Sequence, residues 1–201
     1  KLNLSYALSN DSLLYVTLSE GYRAGGANRT QQLGATYDAD FLTSTEIGYK
    51  SILMDGRMRL NAALYQMDWD DIQLGWFDSS ISLLGLVDNI GKAESNGAEV
   101  DMKYLLSDTV SVAVGYSDNS ATLKEDYVLR GAVEARNGQD LPFTPDSKYN
   151  ITVNVATSDT SNFQINHVFV DEMWNDLFYD DREMQDSYAI TSLSFTTDFG
   201  D

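Results

Sequence analysis

The chain has 201 residues, of which 43% are hydrophobic and 11% aromatic, so it can form a sizeable core and is not a disordered segment. Thirteen basic residues stand against 31 acidic residues, which gives a formal net charge of −18 at pH 7. This charge excludes nucleic acid as a partner, because binding to phosphates depends on Lys and Arg. The chain has no Cys, which excludes a disulfide scaffold, a thiolate zinc site and a Cys nucleophile.

Hydropathy excludes a membrane-spanning helix, because no stretch approaches the roughly 20 consecutive apolar residues that such a helix requires. A strand that crosses a membrane needs an apolar side chain only at every second position. The low mean hydropathy of −0.29 is therefore compatible with a membrane protein built from strands.

Alternation of apolar and polar residues begins at the first strand, where Leu2, Leu4 and Tyr6 alternate with Asn3 and Ser5. Successive side chains of a strand point to opposite sides, so this two-residue period predicts strands with one apolar and one polar face. The same period recurs in eight later segments, and we predict nine strands in all. The later segments contain residues 14–19, 46–53, 57–64, 99–106, 110–117, 149–155, 163–169 and 188–199.

The connections between these strands are alternately short and long. Bacterial outer-membrane barrels have this pattern, because their strands run up and down in simple succession between short periplasmic turns and long extracellular loops. Soluble β-sandwiches mix loop lengths irregularly. We therefore predict an all-β, antiparallel up-and-down transmembrane β-barrel segment. The predicted turns are residues 9–11, 54–56, 107–108 and 158–160, and the predicted long connections are residues 23–41, 75–88, 122–147 and 171–187.

Aromatic residues near the predicted strand ends resemble the aromatic girdle that flanks the apolar band of such barrels. Aromatic residues are also common in any sheet, so this signal is weaker than the alternation of turns. The residues are Tyr6, Tyr22, Tyr65, Trp69, Tyr104, Tyr116 and Tyr149.

Two groups of acidic residues have the oxygen ligands that a hard cation prefers. The first group surrounds Trp69 on a predicted strand, where alternate side chains point to opposite faces and do not converge. The second group lies in the last long connection, where solvation alone accounts for it. We predict no metal site and no cofactor. The groups are Asp68, Asp70 and Asp71, and Asp171, Glu172, Asp176, Asp180 and Asp181.

The residues that catalysis would require are sparse. His167 is the only histidine, and it has no identifiable partners for a transition-metal site or a Ser-His-Asp triad. Gly25 and Gly26 are not a phosphate-binding loop, because no Lys-Ser/Thr pair follows them. No nucleophile, base and orienting group can be placed together, so we do not predict an enzyme.

Aromatic residues and an arginine in the long connections are candidates for ligand contacts, since such side chains often form binding surfaces. The alternative is that they pack the connections against one another. The candidates are Trp76, Phe77, Tyr127, Arg130, Trp174, Phe178 and Tyr179.

Several phrases occur in a fixed order and at fixed spacing: SEGYRAGGANRT (residues 19–30), TSTEIGYKSILMDGRMRLNAALYQMDWDDIQL (43–74), NIGKAESNGAEVDMKYLLSDTVSVAVGYSDNSA (89–121) and LPFTP (141–145). This series resembles the C-terminal half of the barrel of TonB-dependent outer-membrane receptors. The shared patterns are G-Y-R-x-G-G, E-x-G-x-K, aromatic-D-x-I-Q and N-x-G-x-A-x-x-x-G-x-E. Each phrase is weak alone, and their order makes the resemblance specific.

The resemblance implies a barrel of 22 strands closed by an N-terminal plug domain, of which residues 1–201 form about nine strands without the plug or the final strands. It implies a location in the bacterial outer membrane and contact with its lipid. It further implies uptake of a scarce ligand, such as a ferric siderophore, with energy delivered by TonB through the plug. Two alternatives remain open at this stage: a passive porin-type channel and a soluble β-sandwich binding module.

Overall fold

The computed structural model describes residues 1–29, 35–76, 85–179 and 184–199, and every regular element within these ranges is a β-strand. No helix in this part of the chain is long and apolar enough to cross a membrane. In chain order the strands are β1 (Leu2–Ser9), β2 (Ser12–Arg23), β3 (Gly26–Ala27), β4 (Thr36–Tyr37), β5 (Asp40–Leu53), β6 (Met58–Asp70), β7 (Gln73–Trp76), β8 (Leu86–Asn89), β9 (Ala93–Leu105), β10 (Val110–Leu123), β11 (Tyr127–Leu129), β12 (Ala132–Ala135), β13 (Ser147–Ser158), β14 (Ser161–Val170), β15 (Met173–Trp174), β16 (Met184–Gln185) and β17 (Tyr188–Thr197).

Nine of these strands form one antiparallel sheet in the order β1-β2-β5-β6-β9-β10-β13-β14-β17. Each long strand pairs with the next long strand along the chain, which confirms the predicted up-and-down arrangement of nine strands. The remaining strands form four two-stranded hairpins, β3–β4, β7–β8, β11–β12 and β15–β16, each inside one long connection. All four hairpins therefore lie at the same end of the sheet, which we call the mouth.

The opposite end of the sheet consists of tight turns. In the turn between β5 and β6, Gly56 has a φ of 86° and follows Met54 and Asp55 at φ of 55° and 53°. Glycine adopts this left-handed conformation without the steric cost of a side chain, so Gly56 is suited to the position. The turns predicted from the sequence are confirmed at all four places.

The strand register separates an apolar face from a polar face. On the apolar face Leu4 lies opposite Val16, Val16 opposite Ile47, and Ile47 opposite Leu64. Leu4, Ile47 and Leu64 are 62%, 51% and 60% exposed. On the polar face Thr17 lies opposite Glu46. A one-residue shift in register would exchange the faces, so the alternating sequence specifies this pairing.

The buried core lies at the mouth, and the apolar face of the sheet is left uncovered by the described residues. Among the described residues, the larger of two clusters of buried residues joins the ends of β9 and β10 to the long connections, and we call it the loop core. Its members are Ile72, Ile90, Ala93, Ala121, Leu123, Tyr127, Ala135, Leu141 and Leu177.

The aromatic girdle predicted from the sequence is wrong for two of its residues. Tyr65 lies opposite Gly97 on the polar face, and Trp69 donates from Nε1 to Asp40 on the same side. Alternation explains the error, because both residues occupy odd positions of β6 whereas its apolar-face residues are even. The other predicted members lie on the apolar face: Tyr6, Tyr22, Tyr104, Tyr116 and Tyr149.

Candidate ligand-binding mouth

A buried carboxylate joins the first two long connections to the sheet. Asp40, the first residue of β5, is 1% exposed. It accepts hydrogen bonds from Nε (2.9 Å) and Nη2 of Arg23, from Nε1 of Trp69 (3.0 Å), and from the backbone N–H groups of Arg23 (3.2 Å) and Gln73 (3.1 Å). The Arg23 guanidinium also lies 5.0 Å from the centroid of the Trp69 ring. A buried carboxylate is costly unless it is paired and hydrogen-bonded, and Asp40 meets both conditions.

Side-chain amides dock the first long connection onto the second. Asn28 donates from Nδ2 to the carbonyl of Val87 (2.8 Å) and accepts the N–H of Val87 at Oδ1 (3.0 Å). Asn89 exchanges a similar pair of bonds with the backbone of Asp38, at 2.7 and 3.1 Å. Gln73 Nε2 also donates to the Asp38 carbonyl (2.8 Å). In each case a side-chain amide bonds to backbone N–H and C=O groups of the other connection, as a neighbouring strand would. The two connections are therefore joined without a continuous strand ladder.

The second and third connections meet at Tyr127, which is 5% exposed in the loop core. Its hydroxyl donates to Oδ2 of Asp88 at 2.6 Å, and Lys92 donates its backbone N–H to Oε1 of Glu125 at 2.9 Å. Burial and the neighbouring Asp88 carboxylate raise the pKa of Tyr127 far above its ordinary value. Tyr127 therefore remains a neutral hydrogen-bond donor at physiological pH.

The third and fourth connections meet at a stacked aromatic pair. The rings of Trp174 and Tyr179 are 4.3 Å apart and nearly parallel, with an interplanar angle of 12°. The Tyr179 hydroxyl accepts the backbone N–H of Asp140 (2.6 Å) and donates to its carboxylate (3.2 Å), while Phe143 donates its N–H to the Trp174 carbonyl (2.7 Å). Burial, followed by the Asp140 carboxylate, raises the pKa of Tyr179 to about 12.

Four predicted ligand-contact residues have different environments at the mouth. Tyr127 is buried and joins connections, as in the packing alternative of the sequence analysis. Trp174 and Tyr179 are partly exposed, and Arg130 lies at the tip of the β11–β12 hairpin with a φ of 50°.

The remaining candidates lie at the edges of the described structure. Trp76 ends β7 opposite Leu86, and Phe77 lies outside the described residues. Phe178 packs against the loop core. Ligand contact by these residues stays a prediction.

The acidic groups do not form a metal centre within the described residues, where no three His, Cys, Asp or Glu side chains are grouped to hold an ion. Asp68 and Asp70 lie on the opposite face from Trp69, and Lys92 Nζ approaches Oδ1 of Asp70 at 3.2 Å. Asp180 and Asp181 lie outside the described residues. His167 is a mid-strand residue of β14, with Nδ1 2.8 Å from Oγ1 of Thr191.

The hub at Asp40 was not predicted from the sequence, although its partners lie in the quoted phrases. Arg23 belongs to G-Y-R-x-G-G, and Trp69 and Gln73 belong to the aromatic-D-x-I-Q phrase. Their membership of these phrases is the only sequence signal that singles them out, and it does not indicate that they meet at Asp40.

Comparison with known proteins identifies the family. The model described as TonB dependent receptor-like, beta-barrel matches residues 1–200, so the chain belongs to this family. Similar solved structures include the ferric yersiniabactin uptake receptor of Yersinia pestis, with 21% identity, a TM-score of 0.76 and 96% of this chain covered. The siderophore receptor PiuA of Acinetobacter baumannii matches at 14% identity, with a TM-score of 0.76 and 98% of this chain covered.

A ferric enterobactin receptor mutant of Pseudomonas aeruginosa, solved in complex with enterobactin, matches at 15% identity with a TM-score of 0.67 over 98% of this chain. Likeness at these identities shows a common fold. The chain spans 28%, 29% and 32% of the lengths of these three solved chains. The all-β, antiparallel architecture predicted from the sequence is thus confirmed, together with the family.

Proposed function

We propose that this chain forms part of the wall and mouth of an outer-membrane receptor that imports a ferric siderophore with energy supplied through TonB. The observation that carries the proposal is the uncovered apolar face, which continues across all nine strands of one sheet. A soluble β-sandwich would pack a second sheet against such a face. In a membrane barrel the hydrocarbon of the bilayer covers it.

The length of the apolar face is compatible with this assignment. On β6 the four apolar-face residues from Met58 to Leu64 span about 20 Å along the strand, at roughly 3.3 Å per residue. At the strand tilt of about 35–45° found in outer-membrane barrels, this length covers roughly 14–16 Å of the height of an apolar band that is about 25 Å tall. The next residues on this face are Gln66, Asp68 and Asp70, so β6 continues beyond the hydrocarbon into a polar layer. Lipid is accordingly a proposed partner.

The proposed domain organisation follows from the family. Residues 1–201 would supply about nine strands of a 22-stranded barrel domain, and a plug domain elsewhere in the full-length protein would contact TonB. The polar face would then line the lumen. Binding and transport involve no covalent chemistry in this proposal, so the chain is not proposed to be an enzyme.

The ligand assignment is supported by the three solved receptors, whose names refer to siderophores or to enterobactin. The described residues of the mouth are folded, since each of the four long connections carries a hairpin and the connections share buried or hydrogen-bonded contacts. Preorganised surfaces of this kind lose less conformational entropy when a small ligand binds.

The test is uptake of radiolabelled iron chelates by cells that express the full-length gene, with TonB intact or deleted. We expect saturable uptake that disappears without TonB, and increased transcription under iron starvation. Uptake that persists without TonB would instead support the passive porin-type channel. A protein that fractionates as a soluble monomer without detergent would refute the membrane assignment.

A further inference from the structure

Two basic side chains face each other on the polar face of the sheet, close to the tight turns. Arg59 of β6 lies directly opposite Lys103 of β9, and both residues are exposed. Like charges at directly opposite positions of neighbouring strands destabilise a sheet, whereas opposite charges stabilise it. The alternating pattern requires only polar residues at these two positions, so the pairing of two cations needs a separate explanation.

The carboxylates of the described residues do not neutralise this pair. Three ion pairs form in this part of the chain, and none includes Arg59 or Lys103. Asp101 is one polar-face position from Lys103 on β9, but its Oδ1 lies 3.4 Å from the place that a Cβ of Gly115 would take. Its carboxylate therefore leans towards β10 and away from β6. The acidic residues of the neighbouring tight turns are exposed and form no ion pair with either cation: Asp11, Asp55 and Asp108.

Two further basic residues beside the pair are held by groups other than carboxylates. Lys50 Nζ lies 5.2 Å from the centroid of the Tyr15 ring. Arg57 donates from Nη2 to the carbonyls of Leu105 (2.8 Å) and Leu106 (2.7 Å). These contacts fix two more positive charges near the pair, and they supply no negative charge to it.

Exposed apolar side chains flank the pair on the same face. Ile52 lies opposite Arg59 and is 44% exposed, and Leu105 follows Lys103 at the next polar-face position and is 43% exposed. Ile52 and Arg59 also border an open groove of about 510 Å³, together with Leu13. Apolar side chains gain free energy when another segment removes them from water. We call Ile52, Arg59, Lys103 and Leu105 the turn-side patch.

The position of the turn-side patch limits what can cover it. In the proposed function the polar face lines the lumen, so the patch is reached only from inside the barrel. The chain spans 28%, 29% and 32% of the lengths of the three similar receptors, so most of a receptor of that size would lie outside residues 1–201. A segment of the same protein can remain at the patch, whereas a ligand passes it only in transit.

We propose that the turn-side patch is a docking surface for the proposed plug domain, in which one plug carboxylate lies between Arg59 and Lys103 and apolar plug side chains cover Ile52 and Leu105. The carboxylate accepts charge-assisted hydrogen bonds from the guanidinium and the ammonium, so that the repulsive pair becomes a bridged one. This inference rests on the proposed function and specifies where, and through which chemistry, the barrel and the plug meet.

The experiment measures amide hydrogen exchange by mass spectrometry in the full-length receptor in detergent. Arg59→Gln and Lys103→Gln each remove one positive charge from the patch. Arg136→Gln removes the same charge from an exposed position at the mouth and is the matched control. We expect both patch variants to accelerate exchange in one and the same plug segment by on the order of 10-fold, because a hydrogen bond to a charged group is lost. Arg136→Gln should leave that segment unchanged.

The sign of the effect distinguishes a bridged pair from a bare one. If no carboxylate lies between the two cations, either substitution relieves repulsion. Exchange in β6 and β9 would then slow or stay the same, with no change in the plug, and the inference would be overturned. Protection of the patch that arises only when a ferric chelate is added would also overturn it, since the ligand would then be what covers the patch.

A charge exchange tests the contact directly. The accelerated plug segment identifies the carboxylate, and its replacement by Lys in an Arg59→Glu background should restore most of the protection that either change alone removes. Failure of this rescue would overturn the inference. TonB-dependent uptake together with unchanged exchange in both patch variants would overturn the inference and leave the proposed function standing. A full-length protein that has no plug and takes up its ligand without TonB would overturn both proposals.

Discussion

The carboxylate of Asp40 is the group on which the first two long connections depend. Asp40 is buried and accepts hydrogen bonds from Arg23, Trp69 and Gln73, and each hydrogen bond to a charged group contributes about 1.5–3 kcal/mol. Asn retains one acceptor oxygen but loses the charge, and the half-exposed Arg23 stays solvated, so a loss of about 3 kcal/mol is expected. The Arg23 and Gln73 backbone N–H groups, which donate to Asp40, are local reporters of the change.

We predict that Asp40→Asn accelerates amide hydrogen exchange at Arg23 and Gln73 by on the order of 100-fold, which corresponds to roughly 3 kcal/mol of local stability. Asp38→Asn is the matched control, because Asp38 contacts Asn89 and Gln73 only through its backbone and its side chain is exposed. Unchanged exchange in Asp40→Asn would show that the hub does not hold the connections together.

Asp146 shows the opposite effect, in which a charge destabilises the mouth. Its pKa in the folded chain is raised above the ordinary value of 3.8, chiefly by loss of solvation and then by nearby carboxylates. The folded chain therefore holds this proton more tightly than the unfolded chain. Stability is lost as pH rises from the ordinary pKa through the raised one, and the penalty persists at neutral pH.

We predict that Asp146→Asn slows hydrogen exchange at the Asn119 N–H, which donates to the Asp146 carbonyl at 2.8 Å, when measured at pH 7. Well below pH 3.8, where the Asp146 carboxyl is protonated in both the folded and the unfolded chain, the variant and wild type should agree. Asp108→Asn, in an exposed tight turn, provides the control. A slower exchange that is equal at both pH values would exclude the electrostatic explanation.

At the scale of single strands, close approaches across the sheet explain glycines in the quoted phrases. A Cβ at Gly48, the glycine of E-x-G-x-K, would lie 2.3 Å from the Tyr15 ring. A Cβ at Gly97 would lie 2.2 Å from the backbone carbonyl oxygen of Asp118 and 2.6 Å from the Tyr65 hydroxyl. A tyrosine side chain can move aside, whereas the backbone of a neighbouring strand cannot move without disturbing the ladder.

We predict that Gly97→Ala destabilises the barrel more than Gly48→Ala, for which about 1–3 kcal/mol is expected from overpacking. In a Tyr15→Ala background, Gly48→Ala should cost little further unfolding free energy. In a Tyr65→Ala background, Gly97→Ala should remain destabilising. Double-mutant cycles of the unfolding free energy measure both couplings. Gly21→Ala is the control, because a Cβ at Gly21 would meet no atom within 4 Å beyond its own chain neighbours. Full rescue at Gly97 would show that the Asp118 backbone yields.

These contacts define which parts of the structure the sequence could reveal. The two-residue period predicts the strands and their faces because each strand repeats it locally. The family phrases identify the fold, but they do not show which contacts their residues make. Arg23 and Gln73 meet Asp40 through chain folding over 17 and 33 residues, and no local pattern encodes that convergence. Tyr127 was predicted as a ligand contact because aromatic residues in loops are usually exposed, whereas here it is buried.

At the scale of the whole molecule, the proposed membrane position means that a charged side chain costs much more free energy on one face of the sheet than on the other. Val16 and Thr17 are adjacent on β2 and nearly equal in size, but they point to opposite faces. Val16 lies between Leu4 and Ile47 on the apolar face, whereas Thr17 lies opposite Glu46 on the polar face. A lysine in the middle of the lipid-facing band costs roughly 2–4 kcal/mol, and lumen positions are tolerant.

We predict that Val16→Lys lowers the unfolding free energy of the full-length protein in lipid vesicles by about 2–4 kcal/mol. Thr17→Lys should change it by less than about 1 kcal/mol, since the new ammonium faces Glu46 across an aqueous lumen. The measurement is reversible denaturant unfolding followed by Trp fluorescence. Size and position along the strand are matched, so only the face differs between the two variants. Equal losses would mean that the apolar face is not in contact with lipid, and the membrane assignment would then fail.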